Sequence, residues 1–335
     1  MKKSFFDFAG TLFRTSIYAV CCLSLIGLSS CSSDDDDDDE GNGGGKPSTE
    51  LVSTTIPTTG WSGSADNGTC TYRSDDQEEE YSAYYAFAFE NGKCTDAVYN
   101  VVCENEAMAK EVSQKLNSGQ WIYDDDDDED YSVASLAKSK SQALVQTLRN
   151  SKAFKAITRS AREAGPNVMG ITCTRDGRIV YFKVNALKGL DGESVKYTVQ
   201  TWDTGLNMNN LPEQPVFGTW NEATGKYTSN SIYAIPRTKV EIETAFNSSN
   251  ITTKYVAKFT MPNEFWAEMI EESLREQADG YRQLFGIELE ITRTGHVVTS
   301  EHVNVGTSNA NKEDLVKMII AMDILNAQPI GTLLF

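Results

Sequence analysis

The chain has 335 residues, 40% of them hydrophobic, and 30 Lys+Arg against 48 Asp+Glu give it a net charge of −18. That balance leaves no positive footprint for nucleic acid and disfavours lying flat on anionic lipid. Its only two histidines, His296 and His302, are few for nucleophilic triads and most catalytic zinc sites, which depend on imidazole.

Taken in chain order, Lys2, Lys3 and Arg14 precede a nearly uncharged apolar stretch from Thr15 to Leu28 that ends in small residues, the pattern of a secretory signal. The stretch is shorter than the roughly 20 residues that a membrane-spanning helix needs. It closes on Leu28-Ser29-Ser30-Cys31, which resembles the lipobox of bacterial lipoproteins. The resemblance implies that residues 1–30 are removed and that Cys31 becomes a lipidated N-terminus. Next come Asp34 to Asp39, Glu40 and the glycine-rich Gly41 to Gly45. An acidic run in this place is similar to the export signal of Bacteroidota surface lipoproteins, which implies an outer-membrane protein facing the cell exterior. In physical terms, seven like charges followed by glycines cannot build a core, so residues 31–55 are expected to be a tether.

Removing residues 1–30 takes away three basic residues and one acidic one, leaving 27 against 47. Two runs of seven acids, Asp34 to Glu40 and Asp124 to Asp130, account for most of the excess, so the remainder is only mildly acidic. Cys70, Cys94, Cys103 and Cys173 remain after the signal and the lipidated cysteine are set aside. Four cysteines outside the cytoplasm permit two disulfides in three connectivities. If one bridge forms, Cys70 with Cys94 is the expected pair. Four small buried thiols are the equal alternative.

The ordered part is read as α+β, with antiparallel sheets built from hairpins and with packed helices. It divides into regions 56–164 and 165–335, or forms one large domain. The residues from Tyr81 to Glu90 and from Lys93 to Cys103 flank Asn91-Gly92, a strong hairpin signal. Asn105 caps a helix over Glu106 to Leu116. A long or broken helix with a basic polar face is expected from Val133 to Ala164. Asp176-Gly177 centres a second hairpin. Further strands are expected at Val195 to Trp202, around Trp220 and Tyr227, and at Ser231 to Ile235, Lys239 to Thr244 and Lys254 to Thr260. Pro262-Asn263 opens an amphipathic helix presenting Trp266, Met269, Ile270, Leu274, Tyr281 and Phe285 on one face. Thr294-Gly295 centres a third hairpin, and Asn311 caps a last helix with little polar face. The hairpin-then-helix order recurs, but no residue-level repeat is visible.

The chemistry is sparse. His296 and His302 are six residues apart on one expected strand, about 20 Å at some 3.3 Å per residue, too far to share a metal. No HExxH, GxSxG, Walker A or GxGxxG pattern occurs, and no cofactor is called for. Glu288 and Glu290 share a strand face, as a carboxylate pair would, but an exposed polar face has the same spacing. The run from Asp124 to Asp130 has the charge for calcium but lacks the glycine and terminal glutamate of a calcium loop, and reads better as a solvated loop before a helix. Trp202 and Trp220, near expected turns, are the candidates for stacking on a sugar ring, although aromatics in strands more often build core. The sequence therefore favours a non-catalytic surface lipoprotein, held to the membrane by its lipid, that binds a glycan or protein or serves an assembly. The alternative is an extracellular hydrolase, glycoside hydrolase-like, working through carboxylates.

Overall fold

A computed structural model describes residues 50–74, 81–118, 172–229, 238–262, much of 264–278, 288–302 and 311–328. They fall into two units that divide between Tyr197 and Thr198. Each is built on an antiparallel sheet of six strands with helices attached, and strand outweighs helix.

The first unit contains β1 (Gly60–Gly63), β2 (Gly68–Arg73), β3 (Tyr81–Glu90), β4 (Lys93–Cys103), helix α1 (Glu106–Ser118), β5 (Thr174–Asp176) and β6 (Ile179–Lys183). Asn91 and Gly92, at φ of 52° and 72°, make the left-handed two-residue turn that suits a twisted hairpin. Asn105 accepts the Met108 N–H at 2.9 Å, which supplies the expected cap of α1. The last hairpin folds back so that β6 joins β4, giving the order β1-β2-β3-β4-β6-β5. Helix α2 (Gly192–Thr204) follows, and the division between units falls inside it.

The second unit contains β7 (Gly218–Asn221), β8 (Lys226–Ser229), β9 (Lys239–Phe246), β10 (Thr252–Thr260), β11 (Leu289–Thr294), β12 (Val297–His302) and helix α3 (Lys312–Leu325). The described residues between 264 and 278 are helical, with Ala267, Ile270 and Leu274 buried. The strand order is β7-β8-β9-β10-β12-β11. This is the topology of the first unit repeated.

The repeat holds residue by residue. Trp61 pairs with Tyr72 across β1 and β2, and Trp220 pairs with Tyr227 across β7 and β8. A bulge skips Thr95 in β4 and Thr253 in β10. Val101 faces Ala83 and Val180, just as Phe259 faces Val240 and Val298. The Cys103 N–H donates to the Arg178 carbonyl at 2.9 Å, and the Met261 N–H to the His296 carbonyl at the same distance. Asp191 and Asn311, the residues before α2 and α3, form isolated bridges to Lys93 and Ile251, at the starts of the fourth strands. With this register, Thr174-Arg175-Asp176-Gly177 overlies Thr292-Arg293-Thr294-Gly295, with three of the four residues the same.

Three expectations are corrected. The stretch from Val195 to Trp202, read as a strand for its β-branched residues, lies in helix α2. The Asp191 carboxylate accepts the Ser194 N–H at 2.9 Å, and Val195, Thr198, Val199 and Trp202 are buried at helical spacing. The division expected at 164/165 falls at 197/198 because the Thr174–Lys183 hairpin zips onto β4. The expected tether is also too long by its last residues, for Leu51 is 1% exposed within a core of Tyr84, Ala86, Val98, Val102, Ile179 and Tyr181. The chain is fastened there, as the Leu51 carbonyl accepts from Asn100 Nδ2 at 2.9 Å and the Ser53 carbonyl accepts from the Tyr84 hydroxyl at 2.5 Å. The stretches 133–164 and 231–235, and Trp266, Met269, Tyr281 and Phe285 as side chains, lie outside the described residues.

Candidate functional site: a groove beside helix α3

The second unit carries a groove of about 830 Å³ where three connections meet the start of α3. The turn after β7 supplies Glu222, the turn before β10 supplies Asn250, and the segment ahead of β7 supplies Asn209, Leu211, Pro212 and Glu213. Helix α3 contributes Lys312, Val316 and Ile320, four residues apart and so on one face, with Asn311, Glu313 and Lys317 beside them. The apolar groups and the ring of amides and charges make a surface of mixed polarity.

Its framework is set by local hydrogen bonds. Asn311 accepts the Asp314 N–H through Oδ1 at 2.8 Å and donates from Nδ2 to the Asp314 carboxylate at 2.7 Å, which caps the helix. The Lys312 N–H donates to the Asn250 carbonyl at 2.9 Å, tying the helix to the β9–β10 turn. The Lys312 ammonium pairs with Glu222 and lies 5.6 Å from the centroid of the Phe246 ring. Glu222 also accepts from Trp220 Nε1 at 2.8 Å. Its hydrogen bonds from Lys312 and then Trp220 hold its carboxyl below the usual range. Lys317 pairs with Glu313 at 2.6 Å. Among the described residues, the Glu213 carboxylate has no ion-pair partner and the side-chain amides of Asn209 and Asn250 make no hydrogen bond. All three side chains belong to exposed residues.

The equivalent place in the first unit is filled. Gly192 occupies the position of Lys312, and a Cβ there would sit 2.7 Å from the Ala65 Cβ. The Ser64–Asn67 loop lies against it. The Gly92 N–H donates to the Asp66 carbonyl at 2.7 Å, and the Asn91 N–H donates to Asn67 Oδ1 at 2.9 Å. The cause is length. Ser62 pairs with Thr71 and the equivalent Asn221 pairs with Lys226, so residues 63–70 make the first connection and only 222–225 the second. The shorter turn reaches the helix only through the Glu222 side chain, which pairs with Lys312, and the groove stays open.

Further along α3, Asp323 is 2% exposed. Its carboxylate accepts from the N–H groups of Val216 and Phe217 at 2.7 and 2.8 Å and from the Tyr227 hydroxyl at 2.7 Å. Burial pushes its carboxyl above the ordinary value despite these donors. It ties α3 to the start of β7 and to β8, and so fixes the walls of the groove.

The residues singled out from the sequence do not gather here. Trp202 and Trp220 are 8% and 6% exposed, with Trp202 Nε1 donating to the Ile324 carbonyl at 2.8 Å and its ring stacked on Phe217. Stacking on a sugar needs an open ring face, so both belong to the core instead. Cys70 and Cys94 are free thiols. They stand on β2 and β4 with β3 between them, two strand spacings or roughly 10 Å apart, beyond the reach of a disulfide. Cys103 and Cys173 are also free, and burial pushes the thiols of Cys94, Cys103 and Cys173 to about 12, 11 and 11. His302 ends β12, whereas His296 sits in the turn. Glu288 and Glu290 are exposed. Asp124 to Asp130 and Cys31 lie outside the described residues, and none of the described helices is long and apolar enough to cross a membrane. None of the groove residues was singled out from the sequence as a binding residue, and Asn311 was named only as a helix cap. The one signal that could have found them is the cap at Asn311, followed by the row Lys312, Val316 and Ile320 that flanks the buried Leu315 and Ile319.

No protein-family model, curated protein or solved structure matches the chain.

Proposed function

We propose that the protein is a lipid-anchored surface lipoprotein of the outer membrane whose role is non-catalytic binding, with the groove beside α3 as the site that meets its ligand. Cys31 carries the anchor, and the acidic, glycine-rich segment up to residue 50 holds the folded units away from the bilayer. One acyl chain binds a membrane only marginally, so several chains on Cys31 make the attachment stable. The observation that carries the binding role is the contrast between the repeats. One scaffold occurs twice, and only the second copy leaves open the cleft that the first fills with its own chain. The open copy is lined by polar groups that the fold does not use, Glu213, Asn209 and Asn250.

Two measurements test this. Replacing Cys31→Ser should abolish fatty-acid labelling and move the protein from the membrane fraction to the soluble one. External protease on intact cells should digest the wild-type protein. Retention of the variant in the membrane would refute the anchor, and resistance to protease would refute the outward orientation.

A further inference from the structure

We propose that the groove beside α3 takes a short polypeptide segment with small side chains and one basic residue, supplied by a partner protein. This rests on the reading of the groove as the binding site and names its ligand class. The first argument is the repeat itself. In the first unit the same cleft, at the start of α2 and beside the Asn91-Gly92 turn, holds the segment Ser64-Ala65-Asp66-Asn67, four small residues in a loop that bends over residues 65–67. That segment is held by its main-chain carbonyl at Asp66 and a side-chain amide oxygen at Asn67. The molecule thus carries an internal example of what this cleft accommodates.

The second argument is the chemistry of the open copy. Glu222 and Glu313 are neutralised by Lys312 and Lys317, which leaves the Glu213 carboxylate as the uncompensated charge, so a cation on the ligand is the complement. The amides of Asn209 and Asn250 each offer a donor and an acceptor, the pair that a peptide group matches. Leu211, Pro212 and Val316 provide apolar surface for small side chains. Among the described residues the lining includes no aromatic ring, whereas a sugar site is ordinarily built on one, so the groove favours peptide over glycan.

The test pans a displayed library of random twelve-residue peptides on the mature chain carrying Cys31→Ser, with a glycan array run in parallel. Enriched peptides should be rich in Gly, Ala and Ser around a Lys or Arg. Their affinity should fall at least about tenfold in Glu313→Trp, which fills the groove from a side chain 76% exposed and should leave the urea midpoint unchanged. Glu213→Lys, a second exposed change, should remove the preference for the basic residue. Peptide binding that is absent or indifferent to Glu313→Trp overturns the proposal. Glycan binding lost in Glu313→Trp would overturn the peptide class but keep the groove as a binding site. If neither probe responds to Glu313→Trp, the binding role falls with it.

Discussion

The two units share a register and differ on one face of the sheet. In the first, Tyr84 and Ala86 are each 3% exposed beneath Leu51. At the equivalent positions of the second stand Glu241 and Glu243, whose side chains are 39% and 45% exposed. Asn100 and Asp96 correspond to Lys258 and Lys254 in the same way. Around the two glutamates runs a ladder of ion pairs, Lys258 from β10 and Lys239 from β9 itself with Glu241, and Lys226 from β8 and Lys254 from β10 with Glu243. The opposite face is apolar in both, and in the second unit Val240, Ile242 and Ala257 pack against Leu315 and Ile319 of α3. One face suffices to hold such a sheet on its helix. The other is free to vary, becoming a buried seat for the incoming chain in one copy and a solvated surface in the other.

The comparison breaks most readily at Leu51. A chain beginning after Ser53 loses a buried leucine and leaves the Tyr84 hydroxyl and Asn100 Nδ2 without their acceptors. Truncated cores and orphaned polar groups cost about 2–5 and 1–3 kcal/mol, so the first unit should be destabilised by about 4 kcal/mol or more. A chain beginning at Pro47 should keep its stability. Amide exchange read by mass spectrometry would localise the loss to β3, β4 and β6. Equal protection in the two truncations would show that Leu51 is not the fastening.

Asp323→Ala is the matching cut in the second unit. It strands two N–H groups and the Tyr227 hydroxyl, and should lower stability by about 3 kcal/mol, with exchange rising in β7 and β8. Asp323 also makes a pH prediction. Its folded pKa lies above the unfolded value of 3.8, so the stability it contributes is fully present below that value and is lost as pH rises through the folded pKa. The stability advantage of the wild type over Asp323→Asn, from urea midpoints, should therefore be largest at the acid end and shrink as pH climbs from 3.8. An advantage that grows with pH would reverse the assignment.

The smallest effect is expected on the charged face. Glu241→Gln removes partners from two partly exposed lysines, and such pairs contribute about 0–1 kcal/mol. The unfolding free energy from urea titration should fall by less than about 0.5 kcal/mol, and the loss should vanish in high salt. A larger loss would mean that the ladder, and not α3, holds the second sheet together.

Much of this architecture was legible locally. The turns at Asn91-Gly92, Asp176-Gly177 and Thr294-Gly295 and the caps at Asn105 and Asn311 depend on the conformational preferences of neighbouring residues. The repeat was not legible. Tyr85 lies 157 residues from its counterpart Ile242, whereas Gly177 lies 118 from Gly295, because the connections differ in length. Most equivalent positions also preserve only polarity on the inner face. The groove was hidden for a related reason, since it is assembled from Glu213, Glu222, Asn250 and Lys312, which are far apart in the chain.

By itself the sequence determined the hairpins and the helix caps, both governed by interactions within a few residues. Only the tertiary structure decided that Val195 to Trp202 is helix and not strand, that Trp220 is core, that β3 stands between Cys70 and Cys94, and that Leu51 belongs to the fold. Those outcomes turn on which strand lies beside which and on what covers each face. Both are set by burial between distant segments, which no local pattern encodes.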